Sequence, residues 1–375
     1  MDVEARIARV VASIGAADEA AIAEARALHD QLAKPQGSLG RIEQIGVQLA
    51  GIAGRCPPPA IEHAVAIVCA GDHGVLGRGV SPWPQEITAM MVHTFCAGRA
   101  AINVLARTVG ADVTVLDVGV AGDLVPHAAL RNAKVVAGTA DLSREPAMTR
   151  EQAAQAVLAG MATVDELRTT GLDLVIGGDM GIANTTPSAC LTAVFTGRSP
   201  REVTGRGTGI DDATLELKID VVETALALHR PDPADPLGVL AQVGGAEHAA
   251  LCGIYLAAAA ARLPIILDGV TANAAALVAS AFTPRVRDYL VAGHRSVEPS
   301  ATIALDALGK PPLLDLELRL GEGTGAMLAL PLVRGATDIL REMARLSDIA
   351  PPAAGDAEEG DAGAHASPSA AKPSA

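Results

Sequence analysis

The run Ala64-Val65-Ala66-Ile67-Val68-Cys69-Ala70, followed at once by Gly71-Asp72-His73-Gly74, decides the fold. An unbroken apolar run of this length, without polar alternation, describes a strand buried on both faces. The same unit recurs along the chain. Residues 113–118 run into Gly119, and residues 172–176 run into Gly177-Gly178-Asp179. Residues 265–268 precede Gly269, and residues 289–292 precede Gly293-His294. Ala-rich segments of helical length lie between them. Apolar strands alternating with helices indicate an α/β fold with a parallel sheet covered on both faces. Ligands of such sheets bind outside the carboxyl ends of the strands. In this chain those ends carry glycine together with a polar residue.

Upstream of this pattern the sequence reads as helical. Ile7, Val10, Val11 and Ile14 form one apolar stripe, and Asp18 is placed to cap a second helix reaching Leu32. The breaker-rich turn Lys34-Pro35-Gln36-Gly37-Ser38-Leu39-Gly40-Arg41 separates it from a third helix beginning near Ile42. Downstream, Leu314-Asp315-Leu316-Glu317-Leu318-Arg319-Leu320 alternates strictly. That pattern fits either an edge strand with one solvated face or an extended segment crossing the site. A helix from Met327 to about Leu346 follows. Residues 351–375 hold Ala, Pro, Gly, Ser, Asp and Glu with almost nothing to bury, the composition of a disordered tail.

The bulk numbers narrow the class. The chain has 375 residues, half of them hydrophobic, yet only 2% are aromatic, so Ala, Val, Leu and Ile must fill the core. A formal net charge of −14 argues against a nucleic-acid partner, which needs basic surface to neutralise phosphates. A small anionic substrate is compatible with it, because individual loops can be locally positive. Mean hydropathy is +0.31, but charges interrupt every long apolar segment, so no membrane partner is expected. Met1-Asp2-Val3-Glu4 lacks the basic start of an export signal. The five cysteines are scattered without a Cys-x-x-Cys pair, which reads as reduced thiols in a cytoplasmic protein. No His-Glu-x-x-His is present and His73 has no neighbour at ligand spacing, so no metal and no other cofactor are expected.

Several loops carry the chemistry. Gly321-Glu322-Gly323-Thr324-Gly325 opens a helix, where backbone N–H groups favour anions. Glu322 is there either an acid interacting with the helix dipole or a general base held between glycines. Gly178, Asp179, Gly181, Asn184 and Thr185 follow a strand in a segment suited to a phosphate or ribose. Gly207, Thr208 and Gly209 form a second Gly/Thr loop with Arg206 inside it and Lys218 a few residues beyond. It is neither a dinucleotide fingerprint nor a P-loop, and a plain surface loop has the same pattern. The Pro-flanked Trp83, between Ser81 and Gln85, walls a flat ligand or anchors packing.

Six segments in one order are more specific than any of them alone. They are Lys34–Glu43 (KPQGSLGRIE), Gly71–Val75 (GDHGV), Gly178–Thr186, Gly205–Asp212 (GRGTGIDD), Gly293–Pro299 (GHRSVEP) and Arg319–Ala326 (RLGEGTGA). With them the chain resembles the nicotinate-nucleotide–dimethylbenzimidazole phosphoribosyltransferase family, over roughly residues 34–346. The resemblance implies transfer of the phosphoribosyl group of nicotinate mononucleotide to 5,6-dimethylbenzimidazole. The products would be α-ribazole 5′-phosphate and nicotinate, with inversion at the anomeric carbon, in cobalamin nucleotide assembly. It also implies a three-layer Rossmann-like domain at residues 61–325 and a homodimer. A small helical domain would be built from residues 1–60 and a C-terminal helix at about 326–348.

By the same resemblance Glu322 is the general base, and Ser81 and Gln85 line the benzimidazole pocket. Gly178, Gly181, Asn184, Thr185, Gly207, Thr208 and Gly209 are assigned to the ribose phosphate, with Lys218 and Arg319 supplying positive charge. Asp179 stands where the family commonly has Glu, and Ala183 where it commonly has Gly. Trp83 also departs from the pattern, which leaves the preferred base open among benzimidazoles, adenine and other lower ligands. Two other functions fit the loops: a nucleotide phosphorylase or hydrolase, and a silent protein that binds and delivers a ligand.

Overall fold

A computed structural model describes residues 2–349; the tail expected at 351–375 lies outside the described residues. Six strands form one sheet: β1 Ala64–Gly71, β2 Asp112–Gly119, β3 Leu130–Asn132, β4 Leu174–Met180, β5 Ile265–Leu267 and β6 Leu290–Ala292. Their order is β3-β2-β1-β4-β5-β6 and every adjacent pair is parallel. The chain therefore starts in the middle of the sheet, runs outward through β2 and β3, and returns to build the other half from β4. The order reverses between β1 and β4, the place where sheets of this kind open a ligand crevice.

Helices cover both faces, as the near-continuous burial of β1, β5 and β6 requires. Arg150–Arg168 and Ala246–Ala260 pack against each other on one face, with Val270–Phe282 beside them. Glu86–Cys96, Ala101–Val109 and Thr324–Glu342 lie against the sheet on the other. The scarcity of aromatic side chains is met by close backbone approach. A Cβ on Gly160 would sit 2.0 Å from the Ala250 carbonyl oxygen, and one on Gly253 would sit 1.9 Å from that of Val157. Only hydrogen fits at either position, so the two helices cross almost backbone to backbone.

The N-terminal segment forms Val3–Ser13, Glu19–Gln31 and Arg41–Ala53. Asp18 caps the second helix as expected, its side chain accepting from Ala21 N–H at 2.8 Å. The long C-terminal helix packs on Arg41–Ala53, whereas the first helix packs on Arg150–Arg168 and Ala246–Ala260. The stretch Glu86–Val109 has the length and hydropathy of a membrane span, but it is two helices, broken at residues 97–100.

One open alternative is decided and two expectations change. The alternating segment at 314–320 forms no strand; it is an extended segment running beside the residues that leave β6, with Arg295 N–H donating to Leu314 O and Val297 N–H to Leu318 O. Strand β4 continues through Gly177-Gly178-Asp179 to Met180, so these residues pair with Ile67, Val68, Cys69 and Ala70 and belong to the sheet, not to a loop after it. The C-terminal helix begins at Thr324, three residues earlier than expected, and ends at Glu342. A short helix, Leu346–Ile349, follows.

Candidate active site

A cavity of about 320 Å³ opens at the carboxyl ends of β4, β5 and β6, with residues between Val80 and Met91 forming another side. Its wall contains Glu322, Ser81, Asp179, Gly181, Asn184, Thr185, Gly207, Thr208, Lys218 and Arg319. Loops far apart in sequence thus meet at one crevice. Three expected residues stand outside the lining. Gln85 is exposed at the start of helix Glu86–Cys96. Gly178 lies in β4, directly under Glu322, where a Cβ would meet the Glu322 carbonyl oxygen at 2.5 Å. Gly209 sits behind its loop at φ +95°.

One group of residues is acidic. Glu322 is buried and adopts φ +64°, a strained conformation for a residue with a Cβ. Its Oε2 has no hydrogen-bond partner among the described residues. Burial, seconded by the nearby Asp268 carboxylate, holds the Glu322 carboxyl above the ordinary value of 4.5, against a backbone N–H from Ile102. The helix dipole is not what Glu322 answers. That place is taken by Asp268, which follows β5: its Oδ1 accepts from Gly325 N–H at 2.8 Å and Ala326 N–H at 3.1 Å, and its Oδ2 from Gly323 N–H at 3.1 Å. A fixed internal anion satisfies the first turn, so the helix starts at Thr324 and Glu322 is left free. His294 Nε2 lies 3.3 Å from the same Asp268 oxygen.

Asp179, at the end of β4, is the second carboxyl in the wall. Asn184 Nδ2 donates to it at 2.7 Å. Burial, then the Asp268 and Glu247 charges, push it up to about 7. Two carboxyl groups of the cavity therefore favour the protonated form more than a carboxyl in water does.

The second group is basic. Lys218 is 1% exposed, and its Nζ donates to Thr185 Oγ1 at 2.7 Å and to the Gly205 carbonyl at 3.0 Å. Burial lowers it to about 8, although Glu298 opposes the shift. Glu298 accepts from Gly207 N–H at 2.8 Å and thereby shapes the loop. Arg319 reaches the same loop, donating to the Gly207 carbonyl at 3.3 Å. Arg206 pairs with Asp212 and also lines the cavity.

An apolar wall of Val80, Trp83, Ile87, Met91, Met180 and Ile182 completes the cavity. Trp83 is half exposed there. Isoleucines and methionines carry no local chemical signature, so sequence reasoning did not single out the rest. Asp268, Glu298 and Thr271 were likewise missed; each acts through partners tens of residues away. Among the described residues no group of three or more His, Cys, Asp and Glu side chains is arranged to hold a metal ion.

A flat apolar slot, raised carboxyl groups and a basic Gly/Thr loop suit a flat heterocycle, a proton transfer and a phosphate. A family model described as "Phosphoribosyltransferase" matches residues 14–350. A nicotinate-nucleotide–dimethylbenzimidazole phosphoribosyltransferase of Salinispora tropica is 54% identical over 350 residues, covering 90% of this chain and 96% of that one. One of Roseiflexus sp. is 53% identical over 342 residues, covering 91% and 97%. The crystal structure of the Thermus thermophilus enzyme of the same name superposes with a TM-score of 0.84 at 46% identity, covering 88% of this chain and 98% of that one. The chain belongs to the nicotinate-nucleotide–dimethylbenzimidazole phosphoribosyltransferase family.

Proposed function

We propose that this cavity transfers the phosphoribosyl group of nicotinate mononucleotide to 5,6-dimethylbenzimidazole, giving α-ribazole 5′-phosphate and nicotinate. The observation that carries the reading is Glu322, buried with an unpartnered carboxylate oxygen in a cavity whose other polar group is basic. One benzimidazole nitrogen attacks the anomeric carbon while the ring N–H gives its proton to Glu322. The bond from that carbon to the pyridinium nitrogen breaks, and its electron pair neutralises the leaving ring. Attack from the face opposite the departing ring inverts the anomeric carbon. The leaving group already carries positive charge, so its departure needs no acid. Positioning supplies most of the remaining acceleration.

Lys218, Arg319 and the Gly207-Thr208 backbone take the 5′-phosphate, joined by the start of helix Thr185–Thr196. Ser81 and the apolar wall take the base, and Trp83 limits its outline. Residues 1–60 with the C-terminal helix are assigned to a small helical domain and residues 61–325 to the catalytic domain. The assembly is a cytoplasmic homodimer; free thiols at all five cysteines suit a reducing compartment, and Met90 and Val104 offer exposed apolar surface. Light scattering of the purified chain tests the dimer.

The reaction is tested by incubation with nicotinate mononucleotide and a panel of bases, read by mass spectrometry. A base-dependent nucleotide product with release of nicotinate is expected. Ribose 5-phosphate alone would favour hydrolysis, and tight binding without any product would favour a delivery protein.

A further inference from the structure

Three carboxyl groups line the cavity, and the transfer step uses one of them, Glu322. Asp179 is tied to Asn184, which leaves Glu298. Glu298 stands immediately before helix Pro299–Leu308, the position from which a polar side chain ordinarily accepts from the first turn of its own helix. It makes no such contact. The side chain reaches instead to the Gly205–Gly207 loop, 91 residues away, where Oε1 accepts from Gly207 N–H at 2.8 Å. Oε2 rests on Gly205: a Cβ there would lie 1.9 Å from it, so only glycine admits the carboxylate. Oε2 has no hydrogen-bond partner among the described residues, yet it keeps an accessible edge in the cavity wall.

A carboxylate beside a loop that takes a phosphate opposes the binding of that phosphate. Neutralising a cation does not account for it. Lys218 directs its hydrogen bonds to Thr185 and Gly205 and forms no ion pair with Glu298 among the described residues. Holding the loop does not account for the charge either, because a neutral amide oxygen satisfies a backbone N–H as well. What a carboxylate does better than a neutral group is accept from an O–H donor. Nicotinate mononucleotide carries such donors at two places only, the 2′ and 3′ hydroxyls of its ribose. Its ring nitrogen bears the sugar, and its carboxylate and dianionic phosphate carry no hydrogen. Acidic side chains accept from ribose hydroxyls in other nucleotide sites as well.

We infer that Glu298 accepts a hydrogen bond from the 3′-hydroxyl of the bound nucleotide and makes the cavity selective for ribose over 3-deoxyribose. The inference rests on the proposed transfer reaction for the identity of the nucleotide. Covalent reach favours the 3′ group over the 2′ group. With the 5′-phosphate on Lys218 and the Gly207-Thr208 backbone, C3′ follows O5′, C5′ and C4′, and its hydroxyl turns back toward the phosphate loop. Glu298 stands on that loop. C2′ is one atom further on and adjoins the reacting carbon, so its hydroxyl falls toward the base slot and Glu322. A sugar held at its phosphate and at O3′ is fixed at two points away from C1′. The reacting carbon is then free to move from the departing ring toward the incoming nitrogen while the rest of the sugar stays in place.

Kinetics with nicotinate mononucleotide and its 2′-deoxy and 3′-deoxy analogues test the inference. For the wild-type chain, loss of the 3′-hydroxyl is expected to lower kcat/KM about 10- to 100-fold, the range of a hydrogen bond to a charged acceptor. Glu298→Gln keeps an oxygen for Gly207 N–H, and there the ratio should shrink by about threefold or more. In Glu298→Ala it should come within about threefold of one. The ratio for the 2′-deoxy analogue should be the same in all three chains. A side chain that only shapes the loop would slow every nucleotide together and leave both ratios untouched. Equal 3′ ratios in wild type and Glu298→Gln, or a wild-type chain indifferent to the 3′-hydroxyl, therefore overturn the inference. Where a variant turns over too slowly to follow, calorimetric Kd values for the same nucleotides give the ratio without turnover. A wild-type chain that binds the nucleotides with this selectivity but forms no base nucleotide would sink the proposed reaction and support the Glu298 contact.

Discussion

Two helices begin at the same cavity and use their first turns differently. In Thr324–Glu342 the N–H groups of Gly323, Gly325 and Ala326 are taken by Asp268, an anion belonging to the chain itself. In Thr185–Thr196 no side chain caps the start: the Asn184 amide donates to Asp179, and the Thr185 hydroxyl meets Lys218. A closed helix start beside a free carboxyl suits proton transfer. An open start beside a buried lysine suits an incoming phosphate. Glycine-rich loops ahead of helices look alike in sequence, and what distinguishes these two is whether the fold has already supplied the anion.

The comparison breaks first at Glu322. Glu322→Gln keeps shape and removes the proton acceptor, so transfer should fall ~10²–10⁴-fold with a thermal transition no lower than wild type. Retention of most of the wild-type rate would show that the free carboxyl beside the closed helix is not the base. At the other helix, Lys218→Met should raise KM for nicotinate mononucleotide about 10- to 100-fold with kcat nearly constant, the loss of a charge-assisted contact at ~1.5–3 kcal/mol. A fall in kcat alone, measured in the same titration, would move Lys218 from phosphate binding to the chemical step.

Asp179 sharpens the acidic side. Its carboxyl stands at about 7 in the folded chain against an ordinary 3.8, so the folded state holds the proton more tightly. That contribution is complete below the ordinary value and is lost as pH rises through the folded one. Asp179→Asn, which cannot ionise, should therefore melt higher than wild type above about pH 7, by on the order of a few kcal/mol at most, and match it near pH 4. Calorimetry across that range checks the sign; a variant less stable at neutral pH refutes a buried charge there. The smallest effect is at Ala183, which adopts φ +74°. Ala183→Gly should gain up to ~1 kcal/mol in denaturant unfolding, the relief of a left-handed alanine offset by unfolded-state entropy.

What could be read from the sequence followed from local physics. The runs that became β1, β2, β4, β5 and β6 are apolar and closed by glycine, and that pattern needs no tertiary information. Strand β3, only Leu130-Arg131-Asn132, lacks it and is held by pairing to Val115, Leu116 and Asp117. The segments around Glu322, Asp179 and Lys218 stood out because glycines and hydrogen-bonding side chains cluster there. Asp268 was not, since it reaches the first turn of its helix from 55 and 57 residues away. Gln85 is adjacent in sequence to the Ser81 segment, yet it is exposed at the start of helix Glu86–Cys96 and stands outside the cavity lining.

The central claim is that one carboxyl, freed by Asp268 and raised by burial, accepts the proton of the incoming base. The dependence of kcat on pH, from about 4 to 9 with saturating nicotinate mononucleotide and 5,6-dimethylbenzimidazole, tests it most directly. The account predicts activity falling on the acid side with a midpoint above the ordinary carboxyl value of 4.5, and loss of that limb in Glu322→Gln. An acid limb that persists unchanged in Glu322→Gln, at a rate near wild type, would contradict it.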